Sequence, residues 1–417
     1  MASPTGATSA KKTGGEAPKR GLRRDELALS GAGQALIAAL EPVIVDEPLH
    51  FIFDTSVSRK HLIRFWTWVA RDVMPDIEMK FDGFVEAGNA PDAAIELCLP
   101  EILSATRTAL SEVVDFDANR RLTVQLGGEE VRDRVDVILL ALRSRSLINK
   151  ARGFGKAAAG IADDASLGVA LQSLPLKDQA LCALLMHTIV GQIAAPSRLV
   201  SAASHVAGRA TEDAIRGAGF GPLGDAILAH AQHQLTALAP ALVGLGDFDA
   251  ACRALDRFHK LSRAIGSYLE LGRNSRWSTI VAELTKQASL RLEPRLREIS
   301  GDIAQSMRRA RDSQGNDRVD TDRLLAALNG MYLLSSVREA RESLALNALF
   351  EQIWNETGQS IEILVKRTLE EFRVDPGNQA VGKRLDTGIK MAEIRFNSEY
   401  AEVLSRARDK FSRRAAG

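Results

Sequence analysis

Apolar residues recur at spacings of three and four along most of this chain, and that period predicts α-helix. Leu62, Phe65, Trp66, Val69 and Val73 make one such stripe, and Val131, Val135, Ile138 and Leu142 another. The most regular stretch begins at Phe248 and continues through Ala251, Leu255, Phe258, Ser262 and Ile265, with Asp247 placed to cap it. Trp277, Ile280, Val281, Leu284 and Ala288 follow; Pro294 interrupts this stripe, which resumes at Leu296, Ile299, Ile303 and Met307. Asp178 to Ile193 is apolar nearly all round, which predicts a helix at the centre of the protein, ended by Pro196. A long segment from about Thr321 to Phe372 and a final helix from about Lys383 to Phe411 complete the pattern.

Two segments alternate instead. IEMKFDGF from Ile77 and RLTVQL from Arg121 carry the period of a half-buried strand, so they read as edge strands or as irregular links between helices. Gly153, Gly155 and Gly160 read as a break. The fold class is therefore all-α, with room for a minor β element within 44–127, arranged as an irregular multi-helix bundle or a degenerate α-solenoid. No fixed repeat of roughly 20–50 residues stands out. The organisation expected is a disordered basic tail over 1–25, a mostly helical N-terminal region over 26–160, a central apolar helical region over 161–246, and a C-terminal long-helix bundle with a basic tail over 247–417.

Composition narrows the function classes. The 417 residues suggest roughly two or three domains. Lys plus Arg number 54 and Asp plus Glu 53, a balance that lacks the basic excess of a dedicated nucleic-acid binder. The basic residues do gather at the ends: Lys11, Lys12, Lys19, Arg20, Arg23 and Arg24 in the first 25 residues, and Arg406, Arg408, Lys410, Arg413 and Arg414 in the last dozen. Cys98, Cys182 and Cys252 are odd in number and far apart, each among apolar neighbours, so they read as small buried hydrophobes in a reducing cytoplasm. Residues 1–25 contain no apolar core of a signal peptide, and no stretch is long and apolar enough to span a bilayer.

Candidate chemistry is sparse. Gly219, Gly221 and Gly224 match GxGxxG, but a dinucleotide fingerprint needs a strand before it, and Thr211 to Arg216 reads as helix. His230 and His233 share a helix face, yet zinc wants a third protein ligand, so they read as surface or interface histidines. His187, inside the apolar helix, reads as a core histidine with a hydrogen-bond partner. The neighbouring carboxylates Glu129 and Glu130, Asp163 and Asp164, and Glu370 and Glu371 point about 100° apart wherever they are helical, so they do not make proton-sharing dyads. No catalytic, cofactor-binding or metal-binding residue is assigned.

The reading is a non-enzymatic helical interaction protein, a scaffold or regulatory adaptor, with a protein as partner. One alternative is an enzyme or small-molecule binder with a pocket between helices. Another is a peripheral membrane or nucleic-acid binder that uses the basic ends, Arg308, Arg309 and Arg311 included. The candidate partner-binding residue is Trp68, which lies off the apolar stripe that holds Trp66. It is either covered by a second layer of the protein or exposed as an anchor.

Overall fold

The computed structural model describes residues 29–46, 51, 53, 56–243, 248–311 and 317–416. The tail over 1–25, the cap at Asp247 and most of the polar link after Arg311 lie outside them. The chain divides into two compact units. The first comprises residues up to Glu41 together with Arg59–Leu142; the second comprises Pro42–Ser58 and Arg143 onward.

The first unit contains α1 (Gly31–Leu40), α2 (Arg59–Trp68), a π-helical turn (Val69–Val73), α3 (Ile77–Glu86), α4 (Pro91–Ser111), α5 (Phe116–Leu126), α6 (Glu129–Arg132) and α7 (Val135–Arg143). Both alternating segments are helices, α3 and the end of α5, and this corrects the strand reading. In each the alternation rests on one apolar residue that the fold leaves in solvent, Met79 at 76% exposure and Val124 at 74%. The residues that do bury, Ile77 with Phe81 and Leu122 with Leu126, are four apart and lie on one helical face. Among the described residues, β pairing within 44–127 is confined to a single parallel bridge between Ile44 and Val57, in the part of the chain that belongs to the second unit.

The second unit contains α8 (Arg145–Ala157), α9 (Asp164–Gln172), α10 (Gln179–Gln192), α11 (Pro196–Ala207), α12 (Glu212–Gly217), α13 (Gly221–Ala241), α14 (Phe248–Gly266) and α15 (Arg276–Ser306). A two-residue antiparallel pair, β1 (Ala310–Arg311) with β2 (Asp317–Arg318), precedes α16 (Thr321–Ala340), α17 (Asn347–Val374), α18 (Gln379–Arg395) and α19 (Ser398–Ala416). Every substantial helix pairing in this unit joins helices no more than three places apart in the chain. The unit is thus built by stacking sequence neighbours, as solenoids are. Among the described residues no helix is long and apolar enough to cross a membrane.

Three sequence expectations fail here for identifiable reasons. Gly153 and Gly155 do not break the chain; both lie inside α8. A Cβ on Gly155 would sit 3.0 Å from the Ile189 carbonyl oxygen, so the glycine permits α8 to approach α10 closely. Pro294 does not interrupt α15, which runs unbroken past it. Leu284, Ala288, Leu292, Leu296, Ile299 and Ile303 stay in register, and their burial outweighs the roughly 3 kcal/mol that an interior proline costs. The final helix is two helices. It stops at Phe396, and the Asn397 side chain accepts the Tyr400 amide at 2.8 Å to start α19.

The apolar segment is α10, as its composition predicts, with Asp178 capping the Leu181 amide at 3.1 Å and a continuous buried run from Cys182 to Val190. Its C-terminal carbonyls are capped by Arg257 of α14, which donates to Ile193 at 2.6 Å and to Val190. His187 is buried in α10, but its Nδ1 has no hydrogen-bond partner, contrary to expectation. Its ring faces that of His230 on α13, with centroids 5.7 Å apart, and the His230 Nε2–H donates to the His187 carbonyl at 2.9 Å.

Burial holds both imidazoles neutral, taking His187 down to about 4 and His230 well below its ordinary value. A histidine whose folded pKa is lowered contributes stability that is whole above its unfolded pKa, near 6.5, and is lost as the pH falls toward the folded value. Acidifying from about pH 7 to about pH 5 is therefore expected to cost about 2 kcal/mol through His187, with a further loss of the same sign through His230. Urea unfolding at both pH values checks this, and a His187→Leu variant should lose less on acidification. An unfolding midpoint independent of pH over that range would contradict it.

Candidate functional site

The second unit carries its most distinctive surface around Trp354. Trp354 lies on α17 one turn after Phe350, a core residue, and their rings stack at 5.5 Å and 26°. The indole stays half-buried and meets two guanidinium groups. Arg338, near the end of α16, is exposed, with its Cζ 4.9 Å from the ring centroid. Arg395, the last residue of α18, is half-buried, with its Cζ 4.3 Å from the same centroid. Each contact is a cation–π interaction.

The position of Arg395 is fixed twice more. Its Nε donates to the Trp354 carbonyl at 2.9 Å. Gly358 leaves the space it needs, because a Cβ there would fall 2.7–2.9 Å from three atoms of the guanidinium. The α18–α19 break adds the aromatic rim: Phe396, 37% exposed, lies 5.1 Å below Arg395 and meets Tyr400 edge-on at 5.1 Å. Burial, and then the like charge of Arg338, lower the Arg395 pKa from its ordinary value. Among the described residues neither arginine forms an ion pair with a carboxylate. Trp354, Phe396, Tyr400 and two arginines thus meet on one surface, drawn from four helices and the link between the last two.

The residues marked on sequence grounds fall elsewhere. Trp68 is 2% exposed, its ring 6.0 Å from that of Phe65, so it is not the exposed anchor that the partner-binding assignment requires. The GxGxxG glycines follow a helix, α12, not a strand, and they serve packing. Gly219 has φ +88°, and a Cβ on Gly224 would lie 2.2 Å from the buried Trp277 ring. That ring donates from Nε1 to Asp225 at 2.7 Å beneath Arg216, whose Cζ is 4.6 Å from its centroid. Arg216 in turn bridges Glu212 at 2.9 Å and Asp225 at 3.2 Å.

His230 and His233 diverge. His230 is buried rather than on the surface, and the His233 Nδ1–H donates to the Asp46 carbonyl at 2.5 Å. Among the described residues no three metal-ligating side chains converge. The carboxylate neighbours split between different partners: Asp163 caps Ser166 and Asp164 pairs with Arg198, while Glu370 pairs with Arg373 and Glu371 with Arg367. All three cysteines are free thiols, but Cys252 is only partly covered, where full burial is expected. Of the basic ends, Arg309 is bound to Asp317, Arg406 to Glu402 and Arg408 to Asp386. A cavity of about 430 Å³ among Arg406, Lys410, Arg413 and Arg414 marks the end of α19.

The first unit holds a cavity of about 670 Å³ between α2, the start of α1 and the end of α5. Most of its polar lining is already engaged. Ser30 donates to Glu78, Trp66 Nε1 donates to Ser30 at 3.2 Å, Thr67 donates to the Ile63 carbonyl, and Arg64 and Arg71 donate to carbonyls at the end of α5. None of the four cavities described in the two units is lined by a histidine or a cysteine.

The chain matches no protein-family model, no curated protein and no solved structure.

Proposed function

We propose that this chain is a non-enzymatic helical interaction protein, a cytoplasmic scaffold or regulatory adaptor, and that its second unit docks a protein partner on the surface around Trp354. The observation that carries this is the gathering of Trp354, Phe396, Tyr400, Arg338 and Arg395 at one exposed place. Tryptophan, tyrosine and arginine dominate interface hot spots because they combine large apolar area with directed polar contacts. Aromatic residues are only 5% of this chain, so three of them at one surface position is a concentration.

The cavity of the first unit is of a size that small ligands use. Its engaged polar lining leaves few groups to orient a ligand, and this favours the interaction reading over an enzyme. Free thiols, two of them buried, suit a reducing compartment.

Affinity capture from the source cells with the wild-type protein and with Trp354→Ala tests the proposal. The expected result is one or more partners retained by the wild type and lost by the variant at a temperature where both remain folded by their melting curves. Partners retained equally by both would contradict docking at Trp354.

A further inference from the structure

We infer that the partner segment seated on this surface is acidic, with a carboxylate bridging Arg338 and Arg395 and an apolar side chain against the aromatic rim. The inference rests on the interaction reading and adds the chemistry of the partner. Many arginines elsewhere in the second unit are matched to acids, among them Arg216 to Glu212, Arg295 to Asp302 and Arg309 to Asp317, while Arg257 is bound by the carbonyls of Val190 and Ile193. Arg338 and Arg395 instead bring two like charges onto one indole with no acid partner among the described residues.

Arg395 is half-buried and faces the like charge of Arg338, and both effects oppose its charged form. Glu351 lies near enough to act on Arg395 but forms no ion pair with it, and Glu393, two residues before it in the chain, is bound to Lys390 at 2.8 Å. A carboxylate from outside would remove the repulsion and accept charge-assisted hydrogen bonds from two planar forks.

The alternative polyanion, a nucleic acid, fits less well. A phosphate backbone needs a track of cations. Here two guanidinium groups share the indole, with the exposed acids Glu339 and Glu351 on the same helices.

The test is a binding titration of the full chain with three labelled probes read by fluorescence anisotropy: a short synthetic peptide of alternating glutamate and leucine, the same peptide with lysine for glutamate, and a single-stranded oligothymidylate. The glutamate peptide should bind, weaken with added salt and perturb the fluorescence of Trp354, since the other three tryptophans are buried. The lysine peptide should not bind.

Arg338→Glu, at an exposed position, should weaken the glutamate peptide by about tenfold or more, the effect of losing a charge-assisted contact. Gly358→Ala keeps every charge but occupies the place of the Arg395 guanidinium, so it should weaken the peptide as well. Arg373→Glu, on α17 and bound to Glu370, should change nothing.

Failure of the glutamate peptide to bind, or binding indifferent to Arg338→Glu and Gly358→Ala, overturns the inference. Tighter binding of oligothymidylate with the same dependence on the variants overturns it in favour of a nucleic acid. A partner captured through Trp354 whose docking segment carries no acid overturns this inference alone and leaves the interaction reading intact.

Discussion

Replacing Asp317 by alanine is expected to destabilise the second unit by about 3–5 kcal/mol, the usual cost of removing one partner from a buried ion pair. Asp317 lies on β2, and its carboxylate is a hub. It accepts from Arg309 at 2.9 Å and from Asn378 at 3.2 Å, and it stands 3.9 Å from the guanidinium of Arg384. Arg309 holds the carboxylate below its ordinary pKa chiefly through the hydrogen bond, so it is charged at neutral pH.

Arg384 is 2% exposed, and none of its three guanidinium nitrogens has a hydrogen-bond partner. The charge of Asp317 is its compensation, and alanine would leave a buried cation alone. The companion variant Arg384→Met should be far milder, and the double variant should recover most of the loss, because the desolvation cost disappears with the charge. Urea unfolding of the three variants measures this. A loss below about 1 kcal/mol for Asp317→Ala, the range of ordinary surface changes, would mean that Arg384 does not depend on it.

Trp68→Ala is expected to cost about 3–5 kcal/mol, the usual range for emptying a large aromatic site in a core. The sequence leaves Trp68 off the apolar stripe of its helix, and an exposed position would follow if α2 were covered on one side only. It is covered on more: α1, α5 and α6 all pack against α2, and six of its ten residues are buried, His61 and Trp68 among them. The π-helical turn that begins at Val69 follows directly. An unchanged melting curve for Trp68→Ala would show that the ring is dispensable to packing.

The difference between Trp68 and Trp354 shows what the sequence can reveal. Helical class was legible because burial follows the 3.6-residue period over long stretches, as in Leu284 to Ile303, and because α10 is apolar on every side. Short alternating segments were not legible, since one exposed Met79 or Val124 imitates the period of a strand over so few residues. Gly155 and Gly224 read as breakers or as a motif, because their use lies across space, against the Ile189 backbone and the Trp277 ring.

The surface around Trp354 leaves only two local traces, the pairs Phe350 with Trp354 and Phe396 with Tyr400, each four residues apart. Everything that distinguishes it comes from residues 338, 354 and 395, which meet only through the packing of α16, α17 and α18. Its aromatic rim also depends on the break at Asn397, which the continuous amphipathic pattern conceals.

A protein partner docked where Arg338, Trp354 and Arg395 meet, as proposed, would cover the middle of α17 and the α18–α19 break. Hydrogen exchange of the full chain, with and without a partner captured by the wild type and lost by Trp354→Ala, tests it most directly. Added protection is expected to concentrate in the amides of 350–358 and 392–401, with the first unit unchanged. Protection placed elsewhere in the chain, with these two segments exchanging as they do in the free protein, would contradict it.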